Sequence, residues 1–295
     1  MRATIMDGRV VAQKVRGRIK EQVEVLKRSH VEPYLATILV GDNPASKTYL
    51  KNKHAACLEV GMKSLNIELP DGTTQQELVR KIASLNEETG ITGVLLQLPL
   101  PKGLDEAAAI SAIDPGKDVD GLTPYNMGLL VQKTAKLVAC TPCGVMALLR
   151  YYGVRIAGRH AVIINRSKLV GRPLSQLLLN DDATVTVCHS KTQNLREICR
   201  TADILITGIG HRSEFIVTSD MMRPGAAIVD VGTSVVNGKL MGDVDFEAAT
   251  KVAAYVTPVP GGVGPMTIAM LLYNTLVAAS VQKGMELEFN VNELS

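Results

Sequence analysis

A lysine on the apolar face of a predicted helix is the first candidate for chemistry. In the stretch TYLKNKHAACLEVG, the residues Tyr49, Lys53, Cys57 and Val60 recur at helical spacing and share one face. A lysine that is partly desolvated has a lowered pKa and can exchange protons near neutral pH. The alternative is a lysine whose aliphatic stem covers apolar surface while its ammonium group reaches water.

Three further polar residues stand in apolar or glycine-containing segments. Gln97 interrupts the apolar strand GVLLQLPLP, so its amide needs hydrogen-bond partners. Asp118 and Asp120 lie in the loop KDVDGL, which we expect at the mouth of a cleft. A capped strand end would also account for Gln97, and an exposed turn would account for the aspartates. No metal-ligand cluster accompanies them, so no metal site is predicted.

A second candidate site follows a predicted strand at 160–165. The turn NRSKLVGRP lacks the motif G-x-G-x-x-G, but Gly171 allows the next helix to pack closely on the strand. The N-terminus of that helix would offer free backbone N–H groups and a positive dipole end to a pyrophosphate. The alternative is a tight turn that binds nothing.

The residues after the next strand indicate which dinucleotide would bind. NAD-binding units carry an acidic residue there for the ribose hydroxyl, whereas this chain has CHSKT, without a carboxylate. Arg166 lies in the facing turn and Ser190 follows the strand. Because a positive charge and a hydroxyl suit a 2′-phosphate, the sequence favours NADP over NAD.

Strands and helices must alternate to position these residues, and the chain predicts such an α/β fold with parallel sheets. YLATILV (34–40) is a predicted strand, and Asn43 with Pro44 has the form of a helix start. ITGVLLQLPLP (91–101) is predicted as a buried strand. A second series of strands begins after the segment between Lys136 and Gly144, where we place the domain boundary.

Composition excludes several classes of function. The chain has 295 residues, a net charge of +3, and lysine and arginine spread along it, which is not the pattern of a nucleic-acid-binding protein. Five cysteines argue against a disulfide framework and for the cytoplasm. CTPC is interpreted as two ordinary thiols near a helix start, with a redox dithiol as the alternative. The uncharged segment after Lys251 is interrupted and polar enough to predict a core helix, not a membrane span.

Taken together, the motifs resemble the bifunctional methylenetetrahydrofolate dehydrogenase/methenyltetrahydrofolate cyclohydrolase family along almost the entire chain. The matching segments, in order, are YLKNKHAACLEVG, GVLLQLPLP, KDVDGL, CTPCGV, RSKLVGRP, TVTVCHSKT, GDVDF and TPVPGGVGPMTIAMLL. The resemblance implies two α/β domains with a folate cleft between them, and a homodimer. The implied catalytic and folate domain covers 1–141 plus a C-terminal helix at about 268–295, and a Rossmann-type NADP-binding domain covers 142–267.

The implied activity is NADP-dependent oxidation of 5,10-methylenetetrahydrofolate to the 5,10-methenyl form, followed by hydrolysis to 10-formyltetrahydrofolate. In this resemblance Lys53 is the catalytic lysine, with Tyr49 and Gln97 beside it. Asp120 would accept hydrogen bonds from the pterin, and a side-chain-free backbone would approach the aminobenzoyl group. The remaining implied substrate contacts are Leu98, Pro260, Gly261, Gly262, Val263 and Gly264, and the implied cofactor contacts are Asn165, Arg166, Ser167, Ser190 and Thr233.

The chain departs from the family pattern on the cofactor side. The family usually has glycine in place of Asn165, and DVGT with Thr233 replaces the usual DVGI. A side chain at position 165 is expected to crowd the pyrophosphate or to demand unusual dihedral angles. Three alternatives therefore stay open: a monofunctional enzyme of this fold, an unrelated NADP oxidoreductase, and a silent folate- or nucleotide-binding regulator.

Overall fold

The computed structural model describes residues 2–294. Its helices are α1 (Gly8–Arg28), α2 (Pro44–Glu59), α3 (Gln75–Glu87), α4 (Glu106–Ser111), α5 (Pro124–Val131), α6 (Cys140–Tyr151), α7 (Gly171–Asn180), α8 (Leu195–Arg200), α9 (Phe246–Val252) and α10 (Val263–Gln282). Short 3₁₀ turns lie at Ser219–Met221 and Val291–Glu293.

The strands form two parallel sheets and one hairpin. They are β1 (Thr4–Ile5), β2 (Tyr34–Val40), β3 (Lys63–Leu69), β4 (Gly93–Leu96), β5 (His160–Ile164), β6 (Thr184–Cys188), β7 (Ile204–Thr207), β8 (Ala227–Asp230), β9 (Ser234–Val236), β10 (Lys239–Met241) and β11 (Tyr255–Val256). The α/β class with parallel sheets is confirmed.

The chain divides into two units. The three-stranded unit comprises Lys14–Cys140 and Ile268–Val291. The six-stranded unit comprises the described residues up to Gln13, the segment Thr141–Thr267, and the described residues from Asn292 onward. The resemblance places the first residues in the catalytic domain. In the structure they lie in the six-stranded unit, because β1 pairs in parallel with β11 at the edge of the larger sheet.

The three-stranded unit is built on β2, which pairs in parallel with β3 on one side and β4 on the other. After Tyr34 every residue of β2 is buried, as expected for a central strand of a parallel sheet. Its core packs Ala36, Ile38 and Val94 against α3 residues such as Leu78. The predicted strand at 34–40 is confirmed, whereas the predicted strand at 91–101 is wrong in length, because pairing with β2 ends at Leu96.

The six-stranded unit has the strand order β1-β11-β8-β7-β5-β6, with every pair parallel. From β5 the chain passes to β6 on one side and then returns to β7 on the other. The strand order therefore reverses between β5 and β7, and in doubly wound sheets ligands bind at the carboxyl ends of the strands at such a point. Val162, Leu205, Ile228 and Val256 belong to the core of this unit.

One helix in the described part of the chain, Val263–Gln282, is long and apolar enough to cross a membrane. In its most apolar window, 72% is buried inside the structure, which is typical of a core helix.

Candidate active site

Lys53 is placed by a well-capped helix. The side chain of Asn43 accepts hydrogen bonds from the N–H groups of Ala45 and Ser46, and Pro44 occupies the first turn of α2. Lys53 follows in the same helix with its side chain partly buried, and its Nζ donates to Gln97 Oε1 at 2.8 Å. The lysine is therefore anchored by a hydrogen bond, which the snorkelling alternative does not require.

Gln97 stands at the carboxyl end of β4. Its backbone N–H donates to Ile38 O at 2.8 Å, and its Nε2 donates to Leu98 O at 2.6 Å. The amide oxygen is thereby left to face Lys53, so the orientation of the amide is determined by its contacts. The isolated polar residue in an apolar segment thus proves to be paired with the lysine.

The two aspartates of KDVDGL have different roles. Asp118 is buried and accepts hydrogen bonds from the N–H groups of Leu122 and Thr123 and from Asn126 Nδ2, so it fixes the turn into α5. Burial raises the pKa of Asp120, and the positive charge of Lys53 acts in the opposite direction. Of these two aspartates, Asp120 is the one whose charge acts on Lys53.

The electrostatics of Lys53 follow from the same surroundings. Burial lowers the pKa of Lys53, while the acidic groups of Asp120, Cys140 and Cys57 oppose that shift. Desolvation is the largest of these effects, so Lys53 loses its proton to form the neutral amine more readily than a free lysine does. This is the state in which the side chain can accept a proton.

Cys140 is a neighbour that the sequence analysis did not assign to the site. Its thiol donates a hydrogen bond to Val119 O at 3.3 Å, and its proximity to Asp120 lowers the pKa of that carboxyl group, against the effect of burial. The CTPC motif contained the signal, but the motif gives no indication that its first thiol meets the aspartate loop. Within residues 2–294, all five cysteines are free and no group of three or more metal-ligating side chains occurs.

Tyr49 lies one helical turn before Lys53 in α2. Its side chain is 51% exposed, which leaves an aromatic surface open to solvent beside the lysine. An exposed ring of this size is available for stacking against a planar ligand.

The turn after β5 differs from the expected open helix terminus. Asn165 Oδ1 accepts hydrogen bonds from the N–H groups of Ser167 and Gly171, at 2.7 and 3.0 Å, and Asn165 Nδ2 donates to Gly208 O. The prediction of free N–H groups at this terminus is therefore wrong, because the Gly171 N–H donates to the Asn165 side chain and the Arg172 N–H donates to Ser167 O. Asn165 also has no positive φ, so the expected unusual dihedral angle is absent at this residue.

The other predicted cofactor residues follow the carboxyl ends of neighbouring strands. Arg166 and Ser167 are exposed in the turn after β5, and Ser190 is exposed after β6. Thr233 is exposed after β8, and its backbone lies beside Gly210, which follows β7. These residues share one edge of the six-stranded sheet, at the point where the strand order reverses.

The loop Pro260–Gly264 has glycines for two different reasons. A Cβ on Gly262 would lie 2.6 Å from Pro258 O, and Gly261 has a φ of +107°. Both are therefore required by the loop itself. Gly264 is different, because a Cβ there would meet nothing within 4 Å. The open backbone surface in this loop is thus at Gly264.

The fold and these sites define a two-domain α/β enzyme with a catalytic domain and an NAD(P)-binding domain. The family model for the catalytic domain of tetrahydrofolate dehydrogenase/cyclohydrolase matches residues 6–120, and the model for its NAD(P)-binding domain matches residues 139–283. The chain belongs to the tetrahydrofolate dehydrogenase/cyclohydrolase family.

Relatives named "Bifunctional protein FolD" match nearly full length. The protein from Nitrosopumilus maritimus is 53% identical, covering 95% of this chain and 98% of that protein. The protein from Acetivibrio thermocellus is 47% identical, covering 97% and 100%. Among solved structures, the bifunctional enzyme from Campylobacter jejuni is 45% identical with a TM-score of 0.92, covering 95% of this chain and 99% of that one. The Trypanosoma brucei enzyme, complexed with NADP cofactor and inhibitor, is 40% identical with a TM-score of 0.91, covering 96% and 99%.

Proposed function

We propose that this protein oxidises 5,10-methylenetetrahydrofolate with NADP and hydrolyses the resulting 5,10-methenyltetrahydrofolate to 10-formyltetrahydrofolate. The observation that carries the proposal is the hydrogen bond from Lys53 to Gln97, beside Asp120. Full-length similarity to bifunctional relatives supports both activities.

The hydrolytic step requires proton transfer, since water adds to the methenyl carbon and loses a proton. Lys53 with its lowered pKa would accept that proton, because the amine can donate one N–H to Gln97 and keep its lone pair free. Gln97 would hold the lysine and orient the folate or the water. Asp120 would accept hydrogen bonds from the 2-amino and ring N–H groups of the pterin.

The oxidation needs alignment of the folate more than a strong base, because hydride loss leaves a stabilised methenyl cation. Tyr49 would stack on the pterin, and Leu98 would contact it next to Gln97. The loop of Pro260, Gly261, Gly262, Val263 and Gly264 would approach the aminobenzoyl group, with Gly264 as its open position.

The residues at the edge of the larger sheet fit NADP. Arg166 is exposed in the turn after β5, and the segment after β6 carries Ser190 in place of an acid. Bound NADP would supply the hydride acceptor, while Arg166, Ser167 and Ser190 would hold its 2′-phosphate end. Asn165 would shape the turn through its own hydrogen bonds, and Thr233 would contact the cofactor from the neighbouring loop.

We further propose that the protein is a cytoplasmic homodimer that binds tetrahydrofolate derivatives and neither nucleic acid nor membranes. Its free cysteines and evenly spread charge support this environment. The proposed folate domain comprises 1–141 and the C-terminal helix from about 268, and the proposed NADP domain comprises 142–267, although the described residues up to Gln13 fold with the six-stranded unit.

Product analysis tests the function directly. The purified protein is mixed with 5,10-methylenetetrahydrofolate and NADP, with NAD in a parallel reaction, and reduced cofactor and folate products are resolved. We expect reduced NADP, and 10-formyltetrahydrofolate forming faster than methenyltetrahydrofolate hydrolyses unaided. Hydrolysis of supplied methenyl substrate without oxidation by either nucleotide would instead show a monofunctional cyclohydrolase. The loss of oxidation would then be attributed to the departures from the family pattern at Asn165 and Thr233.

A further inference from the structure

Two buried carboxylates lie behind the loops at the carboxyl edge of the six-stranded sheet. Asp230 ends β8 and is 3% exposed, and Asp243 follows β10 and is 0% exposed. Neither belongs to the residues proposed above to contact NADP or folate. Because a buried carboxylate is costly unless it is well hydrogen-bonded, its donors identify what it holds in place.

Asp243 takes all three of its donors from one segment. Its Oδ2 accepts from Thr207 Oγ1 at 2.9 Å and from the Ile209 N–H at 2.6 Å, and its Oδ1 accepts from the Gly210 N–H at 3.0 Å. Thr207 is the last residue of β7, so the carboxylate determines the path of the backbone as it leaves that strand.

The segment that Asp243 holds, Thr207–Gly210, lies where a dinucleotide is expected. The strand order reverses between β5 and β7, and Asn165 Nδ2 in the turn after β5 donates to Gly208 O. On the other side, a Cβ on Gly210 would lie 3.3 Å from Thr233 O. The segment therefore lies between two residues that the proposed function assigns to NADP.

Asp230 holds the backbone around Asp243 in place. Its Oδ1 accepts from the N–H groups of Gly232 and Asp243, at 3.0 and 3.1 Å, and its Oδ2 accepts from the Val244 N–H at 2.9 Å. A Cβ on Gly232 would collide with the Asp243 carboxylate, so no side chain fits there. Asp230 thus fixes the backbone of Asp243, and Asp243 fixes the segment Thr207–Gly210.

We propose that Asp243 is a positioning residue for the oxidation, which holds the segment Thr207–Gly210 in the conformation that binds NADP without touching the cofactor itself. This inference rests on the proposed function. Every hydrogen bond in the argument lies within the six-stranded unit, whereas Lys53, Gln97 and Asp120 belong to the three-stranded unit. Loss of the Asp243 carboxylate should therefore weaken cofactor use and spare hydrolysis.

The test is the variant Asp243→Asn, which keeps the shape but turns an NH₂ group toward N–H donors. We measure kcat and KM for NADP in the oxidation, the dissociation constant of NADPH by its fluorescence, and hydrolysis of supplied methenyltetrahydrofolate without cofactor. Since hydrogen bonds to charged groups are strong, KM and the NADPH dissociation constant should rise about tenfold or more, with hydrolysis changed by less than about twofold.

The matched control is Asp245→Asn, two residues further along. Asp245 Oδ1 accepts from the Ala248 N–H at the start of α9, where asparagine caps equally well. All the measured constants of this variant should stay at the wild-type values.

Two outcomes would overturn the inference. One is an unchanged KM for NADP and an unchanged NADPH dissociation constant in Asp243→Asn. The other applies if oxidation and hydrolysis fall together in Asp243→Asn, as a folding defect would produce. The deciding variant is then Thr207→Val, which removes one donor to Asp243 and keeps the shape of the side chain. If Thr207→Val also leaves NADPH binding unchanged, Asp243 does not position the cofactor segment. Wild-type protein that binds NADPH but oxidises no folate would count against the proposed function, while the binding measurement still tests Asp243.

Discussion

Lys53 Nζ and Gln97 Oε1 form a 2.8 Å hydrogen bond between the middle of α2 and the carboxyl end of β4. Gln97 is held in turn by its donation to Leu98 O. The lysine therefore donates to an acceptor whose position is fixed. This hydrogen bond also sets the orientation of the remaining N–H group and of the lone pair in the neutral amine. Two elements distant in sequence are thus joined at the proposed catalytic lysine.

The variant Lys53→Met should separate folate binding from hydrolysis. Methionine keeps the apolar stem but cannot accept a proton, so we expect cyclohydrolase activity to fall by about 100-fold or more. Folate binding should persist, because Tyr49 and Asp120 are untouched. The measurement is the rate of methenyltetrahydrofolate hydrolysis beside a binding titration. The control is Lys51→Met, an exposed lysine of the same helix; unchanged hydrolysis in Lys53→Met would remove Lys53 from the mechanism.

The variant Arg166→Ser should change the choice of dinucleotide. Removing the guanidinium leaves a 2′-phosphate without its partner charge, so kcat/KM for NADP relative to NAD should fall by about 10-fold to 100-fold. Steady-state kinetics with both nucleotides give the ratio. Lys168→Ser, in the same exposed turn, is the control for net charge. An equal fall in both variants would assign the preference to general electrostatics.

Asp230 should make stability depend on pH in a defined window. Burial raises its pKa to about 6 from an ordinary value of 3.8. The folded protein therefore binds this proton more tightly than the unfolded chain, so its contribution to the free energy of unfolding is lost as pH rises from about 4 to about 6. Urea unfolding of wild type and Asp230→Asn across this window should show wild type gaining relative to the variant as pH falls. A difference that does not change with pH would contradict the prediction.

Lys117 should be important for the stability of the three-stranded unit. It is buried, and its Nζ donates to the carbonyl groups of Leu85, Asn86 and Glu88 at the end of α3. Lys117→Met would leave these carbonyl groups without their donor, and we expect a loss of about 2–3 kcal/mol in unfolding free energy. Urea denaturation followed by circular dichroism measures this loss. Lys102→Met, at an exposed position, should cost little, and an equal effect there would contradict the assignment.

Local signals were the predictable part of the fold. The strand at 34–40 and the helix start at Asn43 are confirmed, because each depends on residues close in sequence. The short strand β1 was not predicted, since its pairing partner β11 is about 250 residues away and two residues carry no periodicity.

The sequence predicted which residues belong to the candidate site better than it predicted their contacts with one another. Lys53 and Gln97 are conspicuous as polar residues in apolar patterns, and the structure brings them together. The difference between Asp118 and Asp120 depends on which carboxylate the turn uses for its own N–H groups. The engagement of Asn165 with Gly208 likewise depends on packing between neighbouring strands. Such tertiary contacts leave no local trace in sequence.

The return of the chain at α10 determines the order in which the protein is completed during synthesis. Asn274 is buried, and its Nδ2 donates to Val119 O at 2.8 Å and to Val138 O at 2.7 Å, on either side of Asp120 in sequence. A ribosome makes the whole segment Thr141–Thr267 before Asn274 exists. Most of the unit that contains Lys53 is therefore synthesised before Thr141, yet it gains these contacts only after the segment Thr141–Thr267 has been made.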